Sequence, residues 1–449
     1  MTRTLEKLRF DATEIFRHSL EPVNPYQAVK RFVRIQDGLI RLGRPGADIA
    51  ALNLDGYSRV LVVGGGKAGS PMARALESLF GARISTGLVN VKAGFTEHLD
   101  RIELVEAEHP VPGGEGVAGT GRILEILQQA DEGDLIFSVI SGGGSALLPS
   151  PAGDIALEEK QAITRKLLEC GAVIDEINAV RKHISASKGG QMARAAYPAT
   201  TVNLMLSDVV GDKPDVIASG PFTPDGSTYE DVLRIFRKYD LKEVPRAIVD
   251  HIEKGAAGEM PETPKAGDPI FDRVHNIVVG SNILACRAAE EKARDLGYET
   301  LILSSMIEGE TRDVALVHAG IAKEILATGL PVKRPACVIS GGETTVSIKG
   351  KGLGGRNMEF ALSAAIHIEG ISHPLVMLSA GTDGNDGPTD SAGALADPTT
   401  VQRGRDAGAD AGLYLDENDS YRFFEKTGDL ILTGPTNTNV MDIRLIMVA

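Results

Sequence analysis

The stretch VLVVGGGKAGSPMARALE, residues 60–77, decides the architecture. A β-rich apolar run meets a glycine loop and then a helix, which is how an α/β unit with parallel strands begins. Gly64, Gly66 and Gly69 satisfy G-x-G-x-x-G, the dinucleotide fingerprint, yet Lys67 stands inside the loop, where a phosphate cradle would use it. The loop therefore poses a choice between a dinucleotide and phosphoryl chemistry.

Outward from that stretch the same rhythm repeats. RVLVVG, GLVNV, RIELVEAE, DLIFSVISG and TTVNLMLSD read as strands, with helical stretches such as 72–80 and 117–129 among them. The alternation implies a doubly wound parallel sheet with helices on both faces, spanning 46–255. KGAAGEMPETPKAGDP, residues 254–269, has no periodicity and is rich in Pro, Gly and acid, so 256–272 is expected to be a linker. Beyond it NIVVG, a helix from Asn282, ETLILS, a helix from Arg312 and ACVISGG restart the pattern, giving a smaller α/β domain over 273–449. Before the first sheet, Leu5, Leu8, Ala12, Ile15, Phe16 and Leu20 fall at helical spacing, and Asn24-Pro25 opens a second helix. These N-terminal helices, 1–45, are expected to pack on the C-terminal domain. VISGGG at 139–144 and VISGGE at 338–343 form an internal echo, each ending a buried strand in a Ser-Gly-Gly loop at a sheet edge where α/β folds bind ligands.

A chain of 449 residues has room for two or three domains, and its net charge of −14 excludes nucleic acid as a partner. A locally positive pocket for a small anion remains compatible with that charge. Cys170, Cys286 and Cys337 are isolated, forming neither a disulfide framework nor a zinc site. The N-terminal segment carries no signal-peptide core, and no apolar run approaches the ~20 residues that span a bilayer, so no membrane partner and a cytoplasmic location are expected. No pattern sets the oligomeric state; a homodimer is among the arrangements the sequence allows.

A dinucleotide fold expects an acid about 20 residues beyond the glycines, on the ribose hydroxyls. The second strand ends instead in Asn90 and Lys92. Lys92 would suit a 2′-phosphate, which keeps an NADP-dependent enzyme open. No G-x-x-x-x-G-K-[ST] occurs either, although a glycine turn feeding a helix aims N–H groups at an anion and Lys67 would add a full charge. In ISGGGSALL, Leu147 stands where a nucleophile elbow needs glycine, which disfavours acyl transfer and leaves Gly142, Gly143, Gly144 and Ser145 as an anion nest.

Other loops carry charge. NLMLSDVVGD places Ser207, Asp208 and Asp212 at a strand end, and IASGPFTPD adds Ser219 and Asp225. Such carboxylates suit Mg2+ or cap helices. INAVRKHISASKGG concentrates Arg181, Lys182, His183 and Lys188; Arg181 and Lys188 suit a carboxylate or phosphate, Lys182 reads as a solvated face, and His183 as a structural histidine. Gly355-Arg356-Asn357 begins a helix, and a guanidinium beside a helix N-terminus makes an anion site. The loop GTDGNDGPTDSAG holds Asp383, Asp386 and Asp390 out of phase with a calcium loop, leaving a base toward a substrate hydroxyl, a Mg2+ ligand or a solvated turn.

Together GGGKAG, ISGGGSALL, SDVVGD…ASGP, SGGETTV…GLGGRNMEFAL, GTDGNDGPTDSAGA and GPTNTNVMDI resemble the class II glycerate kinases, glycerate 2-kinases with a MOFRL-type C-terminal domain. The resemblance runs in order along nearly the whole chain. It implies a larger Rossmann-like domain and a smaller C-terminal one with the site in the cleft between them. It also implies ATP-dependent phosphorylation of D-glycerate, usually giving 2-phosphoglycerate, with Mg2+, or Mn2+ in its place. On this resemblance Lys67, Arg356 and Asp383 are expected to be catalytic. Gly65, Gly66, Ser141, Gly142, Gly143, Gly144, Ser145 and Asp208 are expected on ATP or its phosphates. Lys67, Arg181, Arg356 and Asn357 are expected on the substrate, and Asp208 and Asp386 on the metal. The alternatives are an NAD(P)H-dependent hydroxypyruvate reductase, a name older sequences of this type carry, and a non-catalytic binder of an anionic metabolite.

Overall fold

The computed structural model describes residues 3–449, which fall into two compact units. The larger comprises Pro25–Ser207 and Asp212–Val279; the smaller comprises the chain up to Asn24, the short piece Asp208–Gly211, and Gly280–Ala449.

The larger unit is built on a six-stranded sheet. Its order is Glu103–Ala107, Ile84–Lys92, Arg59–Gly65, Asp134–Ile140, Thr200–Leu206 and Val274–Gly280. Numbered along the chain this is 3-2-1-4-5-6, the doubly wound order, and the pairings among the first five strands are all parallel. Strands covered on both faces become continuous apolar runs, and Asp134–Ile140 and Thr200–Leu206 are buried at every residue. The first helix, Gly69–Phe80, buries Met72, Ala75, Leu76 and Phe80 on one face, and the Phe80 and Phe137 rings lie 4.8 Å apart. The chain reverses direction across the sheet between Arg59–Gly65 and Asp134–Ile140, so both glycine loops emerge at the switch point.

Two boundaries differ from expectation. The segment expected as a linker is tied into the larger unit: Asp225 N donates to Pro264 O (2.9 Å), Arg194 reaches Glu262 O (2.7 Å), and Val274–Gly280 then completes the sheet. The chain changes units at Gly280 instead. The N-terminal block also divides. Helix Leu5–Leu20 belongs to the smaller unit, held by Tyr298 Oη donating to Asp11 (2.7 Å) and by the Arg9–Asp397 pair (2.5 Å). Helix Pro25–Phe32 belongs to the larger unit and runs into a three-stranded antiparallel sheet, Val33–Gln36, Leu39–Arg44 and Ala47–Asn53, where only helix was expected.

The smaller unit carries a mixed sheet ordered Glu299–Ile307, Ala336–Gly342, Asp442–Val448, Leu375–Gly381, Gly393–Ala396 and Leu430–Ile431. The final strand runs antiparallel between two central neighbours and is buried throughout. Helices Thr311–Thr328 and Arg356–Ile368 cover it through Ala315, Ala319, Phe360 and Ala364, which pack with Val338, Met377 and Ile446.

Candidate active site

The two glycine loops of the larger unit interlock. Lys67 N donates to Gly142 O (2.9 Å), Ala68 N to Ser141 Oγ (3.0 Å) and Gly66 N to Asn90 O (3.1 Å). Gly66 has φ +151°, and a Cβ there would stand 2.1 Å from Ser141 Oγ, so only glycine permits this approach. The amides expected to face an anion from the first loop are therefore spent within the fold, those of Lys67 and Ala68 on the second loop and that of Gly66 on the neighbouring strand. That leaves Gly142 and Gly143, whose amides donate to no described residue, as the backbone donors of this edge. Asn90, at the strand end where a ribose acid would stand, is buried and donates to Leu147 O (2.8 Å) and Gly116 O (3.2 Å). It fastens the sheet to its covering helix.

Beside Gly143 opens a cavity of about 440 Å³. His109, Lys160, Arg165, Arg181 and Lys188 line it, and no carboxylate does. Lys67, half-buried, runs along Gly143, where an added Cβ would lie 3.3 Å from its Cγ. Neither Lys67 nor Arg181 has an ion pair or side-chain hydrogen bond to the described residues. Lys188, 1 % exposed, donates to Gly144 O (3.1 Å). Lys160, 5 % exposed, leaves its Nζ without any partner. Burial, then the charge of Arg181, pulls the Lys160 amine down to about 7, and burial lowers Lys188 well below its ordinary value. Burial followed by Lys67 and Lys92 lowers His109 to about 4, so it is neutral at physiological pH. Next to this set, Ser145 Oγ lies 3.2 Å from Ser219 Oγ, which donates to Asn178 Oδ1 (3.1 Å). Ala218 and Ser219 both have positive φ (51° and 61°), a strained turn of the kind that accumulates at functional sites.

In the smaller unit the charges are matched. Arg356, first residue of Arg356–Ile368, donates from Nε (2.7 Å) and Nη2 (3.0 Å) to Asp442 and pairs through Nη1 with Glu343 (2.9 Å). Burial opposes its charge, but Asp442 and Glu343 outweigh burial and raise it further. Two of its five N–H groups stay available to a ligand. Asp442 also accepts from Asn357 Nδ2 (2.9 Å) and Arg444 Nη2 (3.1 Å). Glu343 is raised chiefly by burial, Arg356 opposing, with Asp442, Asp208 and Asp383 adding to the rise.

Several expected roles change on this geometry. Asp386, expected on a metal, is buried and accepts from Asn357 N (3.0 Å), Met358 N (2.8 Å) and Asn357 Nδ2 (3.3 Å), so it caps the helix. Burial raises it to about 7 against those donors. Asn357, expected on substrate, gives both side-chain N–H groups to Asp386 and Asp442 and accepts from Ser379 (2.6 Å). Lys182, expected in solvent, is buried against Asp225 (3.3 Å), which commits that carboxylate too. His183 is buried on Ala179 O (2.8 Å) and Glu262 (2.9 Å). Among the described residues no three His, Cys, Asp or Glu converge as a metal cage. Sequence reasoning passed over Lys160 and Asp442. The signal for Lys160 was its place three and seven residues before Ile163 and Leu167, on the buried stripe of Leu157–Glu169. The signal for Asp442 was an acid opening an apolar strand.

A doubly wound sheet with a basic pocket at its switch point, in a chain that also carries a second α/β unit, defines a two-unit α/β enzyme. A family profile described as a domain of unknown function (DUF4147) matches residues 11–253, and the MOFRL family profile matches 336–442. The D-glycerate 2-kinase of Thermotoga maritima is 42% identical over 442 residues, covering 98% of each chain. An Agrobacterium vitis protein that carries a hydroxypyruvate reductase name is 44% identical over 394 residues, 87% of each chain. The crystal structure of a Thermotoga maritima glycerate kinase superposes with a TM-score of 0.88 at 40% identity, covering 99% of this chain and 100% of that one. The chain belongs to the class II glycerate kinase family with a MOFRL domain. Among the described residues no helix is long and apolar enough to cross a membrane.

Proposed function

We propose that the protein transfers the γ-phosphoryl group of ATP to D-glycerate and releases 2-phosphoglycerate. The observation that carries this reading is Lys67, an ammonium with no partner among the described residues, held beside Gly143 at the switch point of a doubly wound sheet. The relative named D-glycerate 2-kinase supports the substrate and the position of transfer.

Phosphoryl transfer asks a protein for positioning and charge neutralisation more than for covalent chemistry. Lys67 would neutralise charge on the travelling group. Gly142, Gly143 and Ser145 would supply donors to the phosphates, while Gly65, Gly66, Ser141 and Gly144 shape and join the two loops. Arg356 would bind the acid's carboxylate with its two unengaged N–H groups, oriented by Asp442. Asp383 would accept the proton of the attacking hydroxyl. Mg2+ bound to phosphates needs only one or two protein carboxylates, and Asp208, with Asp383 or Glu343, would supply them. Asp386, saturated by N–H groups, would not. When bound, the ion neutralises β- and γ-phosphate charge. The isolated cysteines, two of them buried, support a reducing, cytoplasmic setting.

Reduction of hydroxypyruvate is the second reading, favoured by the Agrobacterium vitis name. Buried Asn90 at the ribose position speaks against it. Phosphorus NMR of a reaction with ATP and D-glycerate separates the two. ADP and 2-phosphoglycerate are expected; NADPH oxidation on adding hydroxypyruvate, with no ADP formed, would overturn the proposal.

A further inference from the structure

We infer that the cavity beside Gly143 receives the phosphate chain of the nucleotide, and that Lys160 takes up a proton as the chain enters. The nucleotide as ligand rests on the kinase reading; the site itself rests on its own geometry.

A buried amine without a hydrogen bond is costly, and a fold keeps one only where something else compensates. Lys160 Nζ is such an amine, and it lines the cavity. Arg181, on the same wall, is equally without a partner, and Lys188 reaches only a carbonyl oxygen. In a chain with 61 acidic residues, none lines this cavity. A ligand with several negative charges supplies what these groups lack. The space exceeds the needs of a three-carbon acid, and its volume lies in the range of nucleotide-sized pockets. At the rim Val111 and Leu168 are 58 % and 59 % exposed, an apolar pair suited to one face of a base.

The titratable groups that line the cavity with Lys160 are Arg181, Arg165, Lys188 and the neutral His109, with Lys67 beyond Gly143. Burial and this company hold Lys160 at about 7 and Lys188 well below normal in the free protein. Polyanion binding reverses the electrostatic environment and restores the Lys160 ammonium. Above about pH 7.5 the terminal phosphate is already fully ionised, so proton uptake there belongs to the protein.

Titration calorimetry of the full chain with ADP at about pH 8, in buffers of differing ionisation enthalpy, reads this directly. Native protein is expected to take up protons on binding ADP. Lys160→Arg keeps the charge but cannot titrate, so it should hold ADP within about threefold while losing about one proton of uptake. Lys160→Met should weaken ADP about tenfold or more. Binding without uptake in native protein, or unchanged uptake in Lys160→Arg, would overturn the inference. If D-glycerate is phosphorylated but uptake is absent, the inference alone fails. If uptake occurs and D-glycerate is not phosphorylated, the kinase reading fails and the anion receptor stands.

Discussion

The same five letters, VISGG, take two shapes in this molecule. At 139–143 the strand stops at Ile140 and Ser-Gly-Gly turns across the sheet edge; at 338–342 the strand continues to Gly342. The cause is the neighbour. In the larger unit the strands on both sides are parallel and end nearby, whereas in the smaller unit the last strand runs antiparallel and extends the ladder, pairing Ser340 with Arg444 and Gly342 with Asp442. The charges differ in step. The first turn is bordered by basic groups without counter-charges, and the second segment by an arginine–carboxylate network in which each charge has a partner. Unmatched charge marks where a ligand belongs, and matched charge marks a frame that holds a residue in place.

That contrast can be broken by mutation. Asp442→Ala removes the acceptor of four N–H bonds from Arg356, Asn357 and Arg444, leaving the buried Arg444 without its carboxylate and Arg356 with Glu343 alone. Urea denaturation should show a loss of about 3–5 kcal/mol. Lys67→Ala should lower kcat/KM by about 2–4 kcal/mol of transition-state stabilisation while leaving the urea midpoint near native, because Lys67 supports no described contact. Asn90→Ala should cost about 1–3 kcal/mol in stability, since Leu147 O and Gly116 O lose a buried donor. Lys160→Met should do the reverse of Asp442→Ala and raise stability by about 1 kcal/mol, seen as a higher Tm, because an unpaired buried amine is replaced by a thioether chain.

The smallest effects are in pH dependence, and the two units have opposite signs. Asp386 is raised to about 7 in the folded state from an unfolded value of about 4, so its contribution is present in acid and is lost as pH rises through 7. Lys160 is lowered to about 7 from about 10.4, so the unfolded chain binds the extra proton and stability grows with pH between those values. Thermal melts of ligand-free protein should lose the acid limb in Asp386→Asn and the alkaline limb in Lys160→Met.

The larger sheet is legible in the sequence because each buried parallel strand is an apolar run closed by a turn and followed by helical periodicity. The final strand is legible as a strand, but its placement is not, since a segment buried on both faces carries no sign of direction. The three-stranded sheet had a signal in Asp37-Gly38, whose positive φ values (53° and 73°) form a tight hairpin between Gln36 and Leu39; helical spacing before it drew the reading away. Lys67 and Arg356 stand out because glycines flank them. Lys160 is obscured because a basic residue on an apolar stripe resembles one error in a good pattern, and only the cavity shows that three such residues meet.

The central claim is that the unmatched basic groups of the larger unit belong to the nucleotide. A crystal structure of the protein with a non-hydrolysable ATP analogue tests it most directly. The account predicts phosphate oxygens within hydrogen-bond distance of Lys160, Arg181 and Lys188, beside the amides of Gly142 and Gly143. Phosphates bound elsewhere, with that cavity filled by water alone, would contradict it.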